Sequence, residues 1–346
     1  MAQPAKPAKT CTRVGLEKEP LWISSAAWVA SRSIVAIVDP VKNAIFLVAA
    51  DGKVQLYDQT KLVKPPSEMV PATIDKVEDK FLLQMVDQRL FWLDKNLEPV
   101  RQGNLLKEST SAQGRIGSTY DWVAAGDYIL GFGSVKSKHG QRFGFYRTPV
   151  RALSRIDFLY DFDQVDYYLL GYRYLSSSLR GDGYFVVMDK QASIYRVPSS
   201  GSGEVVRLDA FPEKYRSIPP IPTIGTGPNT DELLFKSIEQ LTLPVGLYGG
   251  GDGLLYLLTR EPRAEGGTRW LLHQINPNRK GEILGQFELP TTTNHLTIVP
   301  TEKNWFIFEK GPVVPPSQQR ISSMVVIPTP LIYSRAVPAT CQEATK

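Results

Sequence analysis

Short runs of β-branched, leucine and aromatic residues recur along the chain, each followed by a turn and a second such run. The clearest copies are AIFLVAADGKVQLYD (Ala44 to Asp58), KFLLQMVDQRLFWLDKN (Lys80 to Asn96) and GYFVVMDKQASIYRV (Gly183 to Val197). In the first copy Ile45, Phe46, Leu47 and Val48 are apolar without interruption, which predicts a strand covered on both faces. Its partner alternates: Lys53, Gln55 and Tyr57 point one way and Val54 and Leu56 the other. Helical periodicity is scarce. Its best instance is Thr230 to Leu241, where Leu233, Leu234, Ile238 and Leu241 follow Asp231 and Glu232 and predict one or two turns.

The strongest strand of each unit begins near Ala44, Lys80, Asp127, Gly183, Leu254 and Asn304. These starts lie about 36 to about 70 residues apart, the spacing of propeller blades with loop insertions. The pattern predicts an all-β fold: a single β-propeller, six blades of four-stranded antiparallel sheet, over residues 21–337. A flexible N-terminal segment (1–20) and a C-terminal tail (338–346) flank it. Asp51-Gly52, Asp182-Gly183 and Asp252-Gly253 tolerate positive φ and are expected as strand-joining turns. Outer strands are expected at Glu204 to Leu208 and Glu282 to Phe287, and the last blade at Trp305 to Phe308 with Ile321 to Ile327. A strand from the N-terminal segment would complete that blade and remove a free edge. The segment Leu21 to Val38 reads either way, so five or seven blades stay open.

DGLLYLL (Asp252 to Leu258) is similar to a phrase that opens strands in six-bladed propellers of the NHL, gluconolactonase-like and TolB-like group. The chain resembles that group over nearly its whole length, through repeated hairpins. Gluconolactonase-like members hold a divalent metal at the axis with carboxylate and amide side chains, and begin with Glu-Gly-Pro-x-Trp. Glu19-Pro20-Leu21-Trp22 is similar but lacks the glycine, and the later Asn and Asp phrases have no match. The resemblance thus implies the fold and transfers no activity.

Composition adds a compartment. Hydrophobic residues at 42% and charged residues at 22% suit a globular chain with a buried core. Cys11 and Cys341, the two cysteines, lie near opposite ends, where a ring-shaped fold would bring them together. A disulfide there implies an oxidising compartment; two free thiols are the other reading. The opening AQPAKPAKT is like a mature exported chain just after a small-residue cleavage site. A periplasmic or extracellular location is expected, with a cytoplasmic chain and a frayed tail as the alternative. No apolar run reaches the roughly 18 residues of a membrane span.

Most catalytic chemistry finds no footing. His139, His273 and His295 lie in different units and form no HxH or HExxH pattern. No G-x-S-x-G elbow and no phosphate-binding GxxxxGK[ST] occurs. Gly249-Gly250-Gly251-Asp252-Gly253 reads as a wide turn, and Asp161-Phe162-Asp163 as loop carboxylates without the remaining calcium ligands. Arg180-Gly181-Asp182 matches an adhesion tripeptide but is explained by a turn. No catalytic, cofactor-binding or metal residue is assigned, and no cofactor is expected, calcium being the remote exception. The net charge of +5 is dispersed; its densest group is Lys136, Lys138, Arg142 and Arg147, around an expected hairpin and read as a solvated loop. No nucleic-acid module is present.

Two departures from the repeat draw attention. Phe211 to Leu243 is long and proline-rich, with Pro219, Pro220 and Pro222, and Gly311 to Arg320 interrupts the last hairpin. Long loops in compact folds are often functional. Tyr167, Tyr168, Tyr172 and Tyr174 surround Arg173, a composition suited to recognition, though packing between blades is the favoured reading of it. Partner contact is therefore expected at Pro219, Pro220, Pro222, Tyr172, Arg173 and Tyr174. The reading is a non-catalytic binding or scaffolding propeller with a protein partner, possible within an envelope or extracellular assembly. A metal-dependent lactonase-like or glycan-acting hydrolase is one alternative, and a glycan or small-ligand binder another.

Overall fold

The computed structural model describes residues 10–344 except 19, 21–22, 63–69, 78, 109, 112–113, 139, 163–174, 189–190, 202, 217–240, 279, 294–295 and 311–320. Strand β1 (Thr12–Gly15) precedes a sheet of β2 (Ser25–Val29), β3 (Ile34–Asp39), β4 (Ala44–Ala49) and β5 (Val54–Leu56). The second sheet holds β6 (Pro71–Val77), β7 (Lys80–Met85), β8 (Arg89–Leu93) and β9 (Pro99–Asn104). The third has five strands: β10 (Thr110–Ser111), β11 (Gly114–Ala125), β12 (Tyr128–Ser137), β13 (Gly140–Pro149) and β14 (Asp157–Asp161). The fourth is β15 (Leu175–Leu179), β16 (Asp182–Met188), β17 (Ala192–Val197) and β18 (Val206–Leu208). The fifth is β19 (Leu243–Gly249), β20 (Leu255–Pro262), β21 (Thr268–Asn276) and β22 (Glu282–Glu288). The sixth joins β23 (Leu296–Pro300), β24 (Asn304–Lys310) and β25 (Ile321–Pro328) to β1 and to β26 (Gln342–Glu343).

Six consecutive antiparallel meanders of four core strands define a six-bladed β-propeller. Two compact units carry them, residues 1–104 with 288–346 and residues 105–287, each holding three sheets.

In the first unit β1 pairs antiparallel with β25, Thr12 opposite Val326 and Gly15 opposite Ser323. The N-terminal strand completes the last blade, as its missing strand required. The segments 1–20 and 338–344 are therefore partly sheet, because β26 pairs parallel with β1. Cys11 and Cys341 form a disulfide beside these strands.

The six expected strong strands are β4, β7, β12, β16, β20 and β24, each starting within a residue of its predicted position. One phase was different. β4 is the third strand of its sheet, whereas the other five are second strands or, in the third sheet, the second long strand. Leu21 to Val38 supplies β2 and β3, which settles the number of blades at six. β3 and β4 are both apolar and buried on both faces, so periodicity alone cannot rank them. The alternation of the following run fails at its end. Leu56 is 57% exposed, while Tyr57 is buried and donates its hydroxyl to the Leu97 carbonyl at 2.7 Å.

Turn chemistry follows the expected residues twice. Gly52 and Gly253 have φ of 86° and 81°, and the preceding Asp51 and Asp252 carboxylates accept the amides of Lys53 and Leu254. Asp182-Gly183 is the exception, because both residues lie inside β16. The turn is Arg180-Gly181, with φ of 52° and 85°, the two consecutive positive values of a tight hairpin.

Candidate functional site

In the second unit, the turn Glu213–Tyr215 follows β18 and leads toward the proline-rich insertion. It packs on the end of β20 and the start of β21. Glu261, near the end of β20, accepts the Tyr215 hydroxyl at 2.6 Å and the Lys214 ammonium at 2.7 Å. Arg269, its cross-strand partner on β21, stands 3.7 Å from the second carboxylate oxygen. Two residues before Glu261 on β20, Thr259 shares a 2.9 Å hydrogen bond with His273 Nε2. The Tyr215 ring meets His273 edge-on at 5.4 Å.

This cluster has one set of charges at neutral pH. Burial pushes the His273 imidazole down to about 4, opposed by the Glu261 charge, so the ring is neutral. Burial, then its bond to Glu261, pushes the Tyr215 phenol up to about 12. Burial also works to raise the Glu261 carboxyl, but donation from Lys214 and Tyr215 outweighs it and holds the group below its ordinary value. The result is a carboxylate with two donors on one oxygen and a guanidinium near the other, beside a neutral phenol and a neutral imidazole.

Tyr215 and His273 are each only 2% exposed, which leaves no approach for a substrate to either ring. The cluster instead anchors the root of the insertion. Arg216 adds bonds from its guanidinium to the carbonyls of Phe211 and Asp209, and its own carbonyl accepts the Ala192 amide. His273 is thus a packed side chain, and the sequence pattern does not pair it with Tyr215 or Glu261. The only available signal was Tyr215 standing among charged residues immediately before the prolines.

The first unit has a second engaged carboxylate. Glu309 on β24 is 3% exposed and takes two bonds from the Arg13 guanidinium, at 2.9 and 3.1 Å, and one from Ser323 at 2.9 Å. Arg13 also donates to the Pro290 carbonyl and lies 3.4 Å from Glu343 on β26. The cation of β1 is thus bound to β24 and β26 together, beside the Cys11–Cys341 link.

The expected partner-contact residues Pro219, Pro220, Pro222, Tyr172, Arg173 and Tyr174 lie outside the described residues, as do His139, His295, Asp163, Glu19, Leu21 and Trp22, the expected helix turn between 230 and 240, and 311–320. Pro20 is buried, and its carbonyl accepts the Ile321 amide. Among the described residues no three His, Cys, Asp or Glu side chains come together to hold a metal ion, and Glu261 and Glu309 are already engaged. The basic group divides: Arg142 bonds Asp161 at 2.8 Å and Arg147 bonds Asp157 at 3.0 Å, while Lys136 and Lys138 are exposed.

No family profile matches the chain, and no curated protein matches its sequence. Solved structures match its fold. A protein provisionally assigned as a gluconolactonase is 14% identical, aligned over 94% of this chain and 93% of its own, with a TM-score of 0.54. A protein from Bacteroides fragilis, provisionally described as exported, is 11% identical over 94% and 97%, with a TM-score of 0.52. At these identities the likeness is one of fold: the chain is a six-bladed β-propeller similar to gluconolactonase-like propellers. No helix among the described residues is long and apolar enough to cross a membrane.

Proposed function

We propose that this chain is an extracytoplasmic propeller that binds a protein partner and presents its proline-rich insertion as part of the contact. The observation that carries this reading is the anchoring of the insertion's root. Tyr215, Lys214 and Arg216 fix the chain to the blades immediately before residue 217. Rigid attachment lowers the ordering cost that a binding loop otherwise brings to complex formation. The disulfide supports an oxidising compartment, as does the similar fold of an exported protein. The test is native pull-down of the full chain and of a variant lacking 219–229. A stable partner lost with the deletion is the expected result, and a partner retained at equal strength would refute the insertion's role.

The comparisons favour a second reading over the first. The fold shared with a gluconolactonase-assigned protein supports a hydrolase of lactones or glycans. Hydrolysis of a lactone panel, with and without added divalent metal, separates the two readings.

A further inference from the structure

The third sheet has an oversized hairpin. β12 and β13 are ten residues each, against six for β7 and five for β8 in the second sheet. The excess over those strands is about four residues, roughly 13 Å of added reach. The hairpin's end carries an uncompensated positive face. Lys136 on β12 is directly opposite Arg115 on β11, and both are exposed. Like charges in direct cross-strand register repel each other. Lys138, also exposed, lies in the turn that follows β12.

Arg115, Lys136 and Lys138 make no ion pair among the described residues, whereas Arg142, on the opposite face with Val135, is held by Asp161 and stacks over Phe158 at 4.2 Å. The positive face is also shaped. A bulge between Ile116 and Ser118 accommodates Gly117, and the stem of Lys136 lies where a Gly117 side chain would be, 3.0 Å from the position of its Cβ. Ser118 and Ser134 share a 2.7 Å hydrogen bond beside it, and Gln141 is opposite Lys136 on β13. The surface is therefore Arg115 and Lys136 with the Gln141 amide beside them and Lys138 at the adjoining turn.

We propose that this face of β11, β12 and β13 is a docking surface for an acidic, extended polypeptide segment. Alternate residues of an extended chain are roughly 7 Å apart and point to one side. Carboxylates on one side of such a segment can meet the adjacent Arg115 and Lys136, Arg115 through two nitrogens, with Lys138 beyond them at the turn. A bilayer fits less well: Ser137, Lys138, Gly140 and Gln141 at the described tip offer no apolar side chain to insert. The inference rests on the partner-binding reading and gives it a surface and a chemistry.

The test uses the full chain and a fluorescent (Glu-Gly)8 peptide at low salt, with (Gln-Gly)8, phosphatidylglycerol vesicles and polygalacturonate as the other probes. The expected result is binding to the Glu peptide alone, at least tenfold weaker in Lys136→Glu/Lys138→Glu and in Arg115→Glu. Gly117→Ala, which removes no charge, should weaken it severalfold by displacing Lys136. Lys138→Gln, at the exposed turn, serves if the charge reversals impair folding. Undiminished binding by these variants, no binding at millimolar peptide, or equal association with vesicles or polygalacturonate would overturn the proposal. A partner recovered by native pull-down while the peptide fails would remove this surface and leave the partner-binding reading standing. Peptide binding without any native partner would do the reverse.

Discussion

The Tyr215 hydroxyl donates to the Glu261 carboxylate across 2.6 Å and 46 residues of sequence. This bond ties the start of a proline-rich insertion to the middle of a blade. Tyr215→Phe keeps the ring against His273 but removes the donor, leaving Lys214 and Arg269 to hold Glu261. A loss of about 1.5–3 kcal/mol in urea unfolding is expected. Amide exchange should accelerate locally in 209–216, while β20 and β21 stay protected. Uniform acceleration through the sheet would mean that the bond supports the blade and not the root.

His273 makes stability fall in mild acid. Its folded value of about 4 is below its ordinary 6.5, so between these pH values the unfolded chain takes a proton that the folded one refuses. The stability is fully present above about pH 6.5 and is lost progressively as pH falls toward about 4, by on the order of 3 kcal/mol. Glu261, lowered as well, works in the same direction at still lower pH. His273→Gln should flatten the change in urea midpoint between pH 7 and pH 4.5. An unchanged slope in the variant would assign the acid sensitivity elsewhere.

Arg13 and Glu309 act as a unit. Arg13→Ala strands a carboxylate that is 3% exposed, with Ser323 as its remaining side-chain donor, and should cost about 3–5 kcal/mol. Replacing both residues with apolar ones, Arg13→Met with Glu309→Leu, should recover most of that loss. Denaturation of the two single variants and the double variant measures the coupling.

The disulfide should matter to β1 more than to any other strand. Cys11→Ser with Cys341→Ser is expected to lose about 2–5 kcal/mol. Exchange should rise first in Thr12–Gly15 and in the amides of β25 that face it. Non-reducing peptide mapping of the full chain produced under oxidising conditions should recover Cys11 joined to Cys341; free thiols would contradict this.

Strand positions were legible because a strand between neighbouring sheets must be apolar on both faces, and only such runs recur six times. Their order within the first sheet was not, since β3 and β4 satisfy the same condition. The turn at Asp182-Gly183 was misplaced by the same kind of ambiguity: Arg180-Gly181 also joins strands, and an arginine at φ of 52° is not signalled by composition. The cysteine pair was readable from the fold's closure. Glu261, Tyr215 and His273 were not, because their association depends on which end of β20 faces the turn after β18. Arg115 was missed for a related reason. Its place opposite Lys136 is set by a bulge at Gly117, and a sequence pattern carries no register.

Whether the chain binds or cleaves is decided most directly by steady-state hydrolysis of a panel of sugar lactones and simple esters by the intact, oxidised protein, with calcium or zinc added and after chelation. The account predicts no rate above the uncatalysed background under any of these conditions. Saturable turnover that disappears on chelation and returns with one metal would contradict it and establish the hydrolase.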